Sequence, residues 1–213
     1  MSTIDELSTA VQKGKVKDVL ALLETGLAEG SSAQQLLDEG LLKGMSLLGV
    51  RFKNNEVFVP EVLVAARALN KGSEFLKPYL IASGVEPKGR AVIGTVKGDL
   101  HDIGKNLVKM MLEGTGFEVT DLGVDVPDEQ FLSALDEYQP DILLLSALLT
   151  TTMGQLKSVI DTIDAAGGRG KAKILVGGAP VTADFATQIG ADGYAPDAAS
   201  AAELAFSMLE LAA

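Results

Sequence analysis

The apolar pattern of this chain changes its period partway along, and that change limits the folds open to it. Up to about residue 82 the period is helical. Val16, Val19, Leu20, Leu23 and Leu27 recur at three- and four-residue spacing, as do Leu36, Leu37, Leu41, Met45 and Leu48 after Ser31-Ser32. Pro60 stands at a favoured first-turn position for another helix, with Val62, Leu63, Ala66 and Leu69 behind it. Gly14, Glu29-Gly30 and Asn54-Asn55 punctuate the stretch. Four helices with short connections predict a four-helix bundle over residues 1–82. Residues 83–89 are rich in Gly and Pro and read as a linker, with Gly84 and Gly89 suited to a hinge.

After the linker, short β-branched runs alternate with helical stretches. The runs fall at 91–95, 118–122, 142–146, 174–176 and, more weakly, 193–195. Helices are expected near 104–114, 128–138, 153–165, 182–189 and 198–211. Strand–helix alternation predicts a parallel sheet covered on both faces. Five strands in residues 90–213 suit an α/β, flavodoxin-like (Rossmann-like) second domain of order 2-1-3-4-5. Ligands of such sheets sit beyond the carboxyl ends of the strands, near the switch point between strands 1 and 3. That rule points to three loops, 96–103, 147–152 and 177–181.

Composition narrows the chemistry. The 213 residues include no cysteine and a single histidine, His101. This excludes a disulfide framework, a thiolate metal site and a cysteine nucleophile. The net charge is −11, with about −1 over residues 1–83 and −10 over 84–213. Such a balance argues against nucleic-acid binding, which needs phosphate-neutralising residues. The first residues have no basic stretch followed by an apolar core, so no signal peptide is expected. No apolar run reaches the roughly 18–20 residues of a membrane span. A cytoplasmic protein is the expectation, with neither nucleic acid nor membrane as a partner.

The loop after the first expected strand holds Gly94, Gly98 and Gly104. Their spacing matches neither the dinucleotide fingerprint nor the P-loop, where Asn106 would stand in place of the needed hydroxyl. His101 is the unusual residue, with Asp99 two positions before it and Asp102 beside it. A carboxylate that accepts from one imidazole nitrogen leaves the other for a metal. One histidine without cysteines cannot build a site of three or four protein ligands. A metal held here must bring its remaining ligands, as a macrocycle does. The other two loops suit a large flat ligand. Ser146, Leu148, Leu149, Thr150 and Thr152 offer hydroxyls and an apolar wall, and Gly177-Gly178 let a ligand lie against backbone. Thr152 also stands where a helix N-cap is expected.

Taken together, Asp99-x-His101-x-x-Gly104, Ser146-x-Leu148 after 41 residues and Gly177-Gly178 after 28 more resemble the cobalamin-binding signature. The stretches 96–108 (VKGDLHDIGKNLV) and 121–127 (DLGVDVP) are similar to those of cobalamin-dependent methionine synthase, and the bundle resembles the cap that accompanies that domain. A chain of cap and B12 domain alone resembles the corrinoid protein of a three-component methyltransferase system. The resemblance implies a corrinoid cofactor bound base-off, with His101 as the axial cobalt ligand, Asp99 accepting from its other nitrogen and Thr152 ending the relay in place of a serine. It implies cofactor contacts from Gly98, Leu100, Asp102, Ile103, Gly104, Ser146, Leu148, Leu149, Thr150, Gly177, Gly178, Tyr194, Ala195 and Ala198. In the cap, Phe52 and Val59 match the apolar pair over the methyl face, with Val59 where the family often has leucine. The implied function is a methyl carrier rather than a catalyst by itself. Co(I) takes a methyl group from a donor-specific methyltransferase, and a second methyltransferase passes it to tetrahydrofolate or a thiol. A reductive activase is the third implied partner. The alternative is a cobalamin-sensing regulatory module.

Overall fold

The computed structural model describes residues 2–210, so the end of the helix expected to reach 211 lies outside the described residues. The chain divides into two compact units. One holds the helices up to Lys88 together with Glu113–Gly116, and the other holds Gly89–Leu112 and the chain from Phe117 onward.

In the first unit, α1 (Thr3–Gln12) and α2 (Val16–Ala28) are followed by a continuous helical path. It runs through α3 (Ala33–Gln35), a π-helical segment (Leu36–Leu42) and α4 (Lys43–Lys53), and then comes α5 (Val59–Ala82). The four expected helices are therefore present, and the breaks fall at the expected punctuation. Ser2 and Ser32 cap their helices by accepting from Asp5 N and Gln35 N. Glu61 reaches back to the Phe58 N–H at 3.2 Å and so opens α5. Leu7, Val11, Val19, Leu23, Leu36, Leu41, Leu48, Leu69 and Leu76 are fully or almost fully buried and form its core. The π-helical segment is a feature that periodicity did not show. It carries Gly40, where an added Cβ would lie 2.4 Å from Leu7 Cδ2. The missing side chain lets this segment pack closely on α1.

The second unit contains five strands, β1 (Gly89–Thr95), β2 (Phe117–Asp121), β3 (Ile142–Ser146), β4 (Lys173–Gly177) and β5 (Gly193–Tyr194). All pair in parallel, in the order β2-β1-β3-β4-β5. This is the order expected of a flavodoxin-like sheet. Helices α6 (Ile103–Glu113), α7 (Asp128–Tyr138), α8 (Met153–Ala165), α9 (Ala183–Gln188) and α10 (Ala198–Glu210) connect or follow them. Val92, Leu143, Leu145, Ile174 and Val176 on one face of the sheet cluster with Phe131, Leu135, Leu156, Val159, Ile160 and Ile163 from α7 and α8. Alternate residues such as Ile93, Ile142, Leu144 and Leu175 are also buried, so both faces are covered. β1 begins at Gly89, two residues before the sequence pattern indicated, because Gly89 pairs with Phe117. An added Cβ there would meet Leu209 at 2.4 Å, so this glycine serves strand packing rather than the hinge expected of it. No described helix is long and apolar enough to cross a membrane.

Candidate functional site

Strand register aligns the carboxyl ends of the three central strands. Thr95 lies opposite Ser146, and Ser146 lies opposite Gly177. The segment after β1 leaves this edge through a turn closed by the Asp99 N–H to the Val96 carbonyl at 3.1 Å. Gly98, third in that turn, has φ +80°, a conformation that favours glycine.

The turn delivers Asp99 into the protein with no exposed surface. Its Oδ2 accepts from the Leu148 N–H (2.7 Å), the Leu149 N–H (3.2 Å) and the Thr152 hydroxyl (2.7 Å). Its Oδ1 accepts from the His101 N–H (3.1 Å) and lies 2.7 Å from His101 Nδ1. Burial pushes this carboxyl up, but the hydrogen bonds from Thr152, His101 and Leu148 outweigh burial and hold it well below the usual carboxylate range. An ionised carboxylate only accepts, so Nδ1 carries the proton. Nε2 is thereby left as the nitrogen with a lone pair to offer, on an imidazole that is half exposed. The buried Thr95 hydroxyl donates to the His101 carbonyl at 2.9 Å and steadies the loop from below.

Thr152 stands immediately before α8, as the N-cap expectation placed it, but its side chain caps nothing. Its hydroxyl faces Asp99 and the Leu149 carbonyl instead. Four apolar side chains beside this set are exposed: Leu100 (71%), Ile103 (72%), Leu148 and Leu149 (40% each). Large apolar groups exposed together on one edge mark a surface that a ligand or partner covers. Gly104, in the first turn of α6, has no atom within 4 Å of where a Cβ would be. The exposed Asp102 holds that turn through Asn106, with its carbonyl 2.7 Å from Asn106 N and its carboxylate 3.1 Å from Nδ2.

The other expected contacts lie along the same edge. Ser146 ends β3, Thr150 is exposed in the following loop, and Gly177 ends β4. Gly178, at φ +133°, is required for a steric reason: an added Cβ would sit 1.8 Å from the Ala147 carbonyl oxygen. Tyr194 ends β5, Ala195 is buried behind it, and Ala198 begins α10. Phe52 and Val59 belong to the helical unit, where both are half-buried, one near the end of α4 and the other starting α5.

Two groups were given no role in the sequence reading, although both lie in stretches it singled out, 96–108 and 121–127. Lys105, only 3% exposed, places Nζ 2.7 Å from both carboxylate oxygens of Asp121 at the end of β2. Burial raises the Asp121 carboxyl, but Lys105 and the Gly123 N–H bring it below its ordinary value. Asp125, in the loop after β2, accepts from the Gly98 N–H at 2.6 Å. The switch-point rule names the loops after strands 1, 3 and 4 and passes over this one. The available signal was its place in the stretch 121–127 (DLGVDVP), whose resemblance assigned no residue a role.

The chain is similar to known proteins over nearly its whole length. The family described as B12 binding domain matches residues 89–203, and a second family so described matches residues 3–77. The chain is 39% identical over 212 residues to a corrinoid protein of Desulfitobacterium hafniense, covering 98% of each chain. It is 41% identical over 207 residues to the dimethylamine corrinoid protein of Methanosarcina barkeri, covering 97% of each. Among solved structures it is similar to a chain of the methanol:cobalamin methyltransferase complex of Methanosarcina barkeri. The TM-score is 0.88 at 34% identity, over 98% of this chain and 80% of that one. With B12 binding domain models over most of its residues and nearly full-length likeness to such proteins, the chain belongs to the family of B12-binding corrinoid proteins.

Proposed function

We propose that this protein is a methyl carrier that binds cobalamin or a related corrinoid base-off, with His101 Nε2 as the protein's axial ligand. One observation carries the reading. The chain's single histidine stands exposed at the switch point, its Nδ1 committed to a buried, ionised Asp99, among exposed apolar side chains. The donor set fits the group, since one imidazole suits a metal whose other ligands come from a macrocycle. When bound, the corrinoid supplies a cobalt centre able to take up and pass on a methyl group.

The chain's own residues supply position and charge. Asp99 holds the imidazole in one tautomer and makes Nε2 a better donor. Thr152 donates to Asp99 from the far side, so a proton taken up when His101 is released would be shared along the His101–Asp99–Thr152 chain. Leu100, Ile103, Leu148 and Leu149 give the macrocycle an apolar surface. Gly98, Asp102 and Gly104 shape the loop beneath it, and Ser146, Thr150, Gly177, Gly178, Tyr194, Ala195 and Ala198 border the slot for the displaced nucleotide tail. A methanol:cobalamin methyltransferase complex among the similar structures supports a donor-specific methyltransferase as one partner; a methyltransferase for the acceptor and a reductive activase complete the proposed set.

The test is the visible spectrum of the protein reconstituted with hydroxocobalamin, wild type against His101→Ala. The expected result is a corrinoid spectrum in both, changed by the substitution. A colourless wild type overturns the cofactor, and a coloured protein indifferent to the substitution overturns the ligand. The carrier role then predicts that labelled methyl transfer from donor to acceptor requires this chain as well as both methyltransferases.

A further inference from the structure

Asp125 lies in the loop that the switch-point rule leaves out. Its φ is +53°, in the left-handed region that side-chain-bearing residues seldom adopt and that Asp and Asn tolerate best. Two hydrogen bonds of opposite sense join it to the residues just before His101. Its Oδ1 accepts from the Gly98 N–H at 2.6 Å, and its own N–H donates to the Asp99 carbonyl at 3.0 Å. Next to it, Val126 N–H donates to the Thr95 carbonyl at 3.0 Å, and Val96 bridges to Val126. The turn that carries Asp99 is thus gripped by one residue at two backbone groups, the Gly98 N–H and the Asp99 carbonyl.

The consequence follows from where Asp99 is held. Its Oδ2 is fixed from the β3 side by Leu148, Leu149 and Thr152. With the carboxylate anchored at one end and the backbone at the other, the direction from Oδ1 to His101 Nδ1 has no freedom left. Release of the backbone lets the side chain pivot about its anchored oxygen, and hydrogen bonds weaken steeply as their angle degrades. Strain kept at a residue that is hydrogen-bonded twice to the loop before His101 indicates a positional role.

We propose that Asp125 is a positioning residue: it clamps the Gly98–Asp99 backbone and thereby sets which nitrogen of His101 faces outward. The link to cobalt rests on the reading of His101 above, but the clamp itself does not. Because His101 is the chain's only histidine, its imidazole ¹⁵N shifts are free of overlap. The experiment records them on the full chain without corrinoid, at a pH where the ring is neutral, for wild type, Asp125→Gly and Asp125→Asn. Thermal unfolding confirms that each variant folds. The Gly variant removes the carboxylate while easing the left-handed backbone, and the Asn variant keeps an acceptor and tolerates that backbone.

The expected result is Nδ1–H in the wild type, a several-fold rise of the Nε2–H form in Asp125→Gly, and the wild-type pattern in Asp125→Asn. Once reconstituted with hydroxocobalamin, Asp125→Gly should also shift the cobalt midpoint potential in the same direction as Asp99→Asn. A folded Asp125→Gly variant with the wild-type tautomer overturns the clamp. So does a shift in both variants, which would assign the effect to charge. A corrinoid spectrum unaffected by His101→Ala overturns the ligand reading alone and leaves the tautomer result standing.

Discussion

Among the described residues the helical unit buries one polar side chain, Ser8, whereas the sheet unit buries four: Thr95, Asp99, Lys105 and Thr152. The four are not scattered. Thr95 ends β1, Asp99 follows it, Lys105 lies in the first turn of α6, and Thr152 precedes α8, so all gather around one edge of the sheet. Buried polar groups destabilise a fold unless they are paired, and here each has a partner. The helical unit closes by another means, with leucines set against glycines such as Gly40 and Gly72. Apolar packing suffices to hold a unit together. A buried hydrogen-bond network is kept where a side chain must also be aimed.

The largest test of this contrast is steric. Gly178→Ala puts a Cβ 1.8 Å from the backbone oxygen of Ala147, in a conformation that L residues avoid. It should cost about 3 kcal/mol or more. Gly40→Ala meets the movable end of Leu7 instead and should cost about 1–2 kcal/mol. Urea unfolding of both variants checks the ranking, and equal costs would erase the difference between the units.

A second test removes a buried polar side chain from each unit. Asp99→Ala strands the Leu148 and Leu149 N–H groups and the Thr152 hydroxyl, with an expected loss of about 2–4 kcal/mol. Ser8→Ala should cost less, about 1 kcal/mol. The comparison sharpens if Asp99→Asn recovers part of the loss, since an amide oxygen still accepts.

The smallest expected effect is the pH dependence. In the sheet unit Asp99, Asp121 and Asp192 all titrate below their ordinary value in the folded state, because hydrogen bonds and neighbouring cations outweigh burial. The unfolded chain then binds more protons than the folded one, so these groups add stability above the unfolded value of about 3.9 and lose it as pH falls below that. The lowered carboxyls of the helical unit, Asp5 and Glu74, are on the surface. Amide exchange followed from pH 6 to pH 3 should show protection falling first in the strands. A simultaneous loss in both units would refute this division.

Much of this organisation was legible in the residues. A helical apolar period up to residue 82 and β-branched runs after it separate a bundle from a parallel sheet, because each period matches one way of burying a face. Five strands alternating with helices suit a flavodoxin-like order, 2-1-3-4-5, which the sheet has, and with it come the three loops that carry Asp99, His101, Thr152 and Gly178. Asp99 as partner of His101 could be read because only Leu100 separates them. The Asp99 contacts to Leu148 and Leu149 could not, since they join positions 49 and 50 residues apart. Nor could the Lys105–Asp121 pair, the Gly98–Asp125 bond or the π-helical segment, which depend on which backbone atoms the sheet register and helix packing bring within reach.

What the sequence determined by itself is the class of each unit and the sheet edge at which its lone histidine stands, because periodicity and composition are local properties. What only the tertiary structure decided is the direction of that histidine. A hydrogen bond forms within a few tenths of an ångström and a narrow angle, and at Asp99 those limits are met only after β1, β3 and the loop following β2 have been assembled side by side.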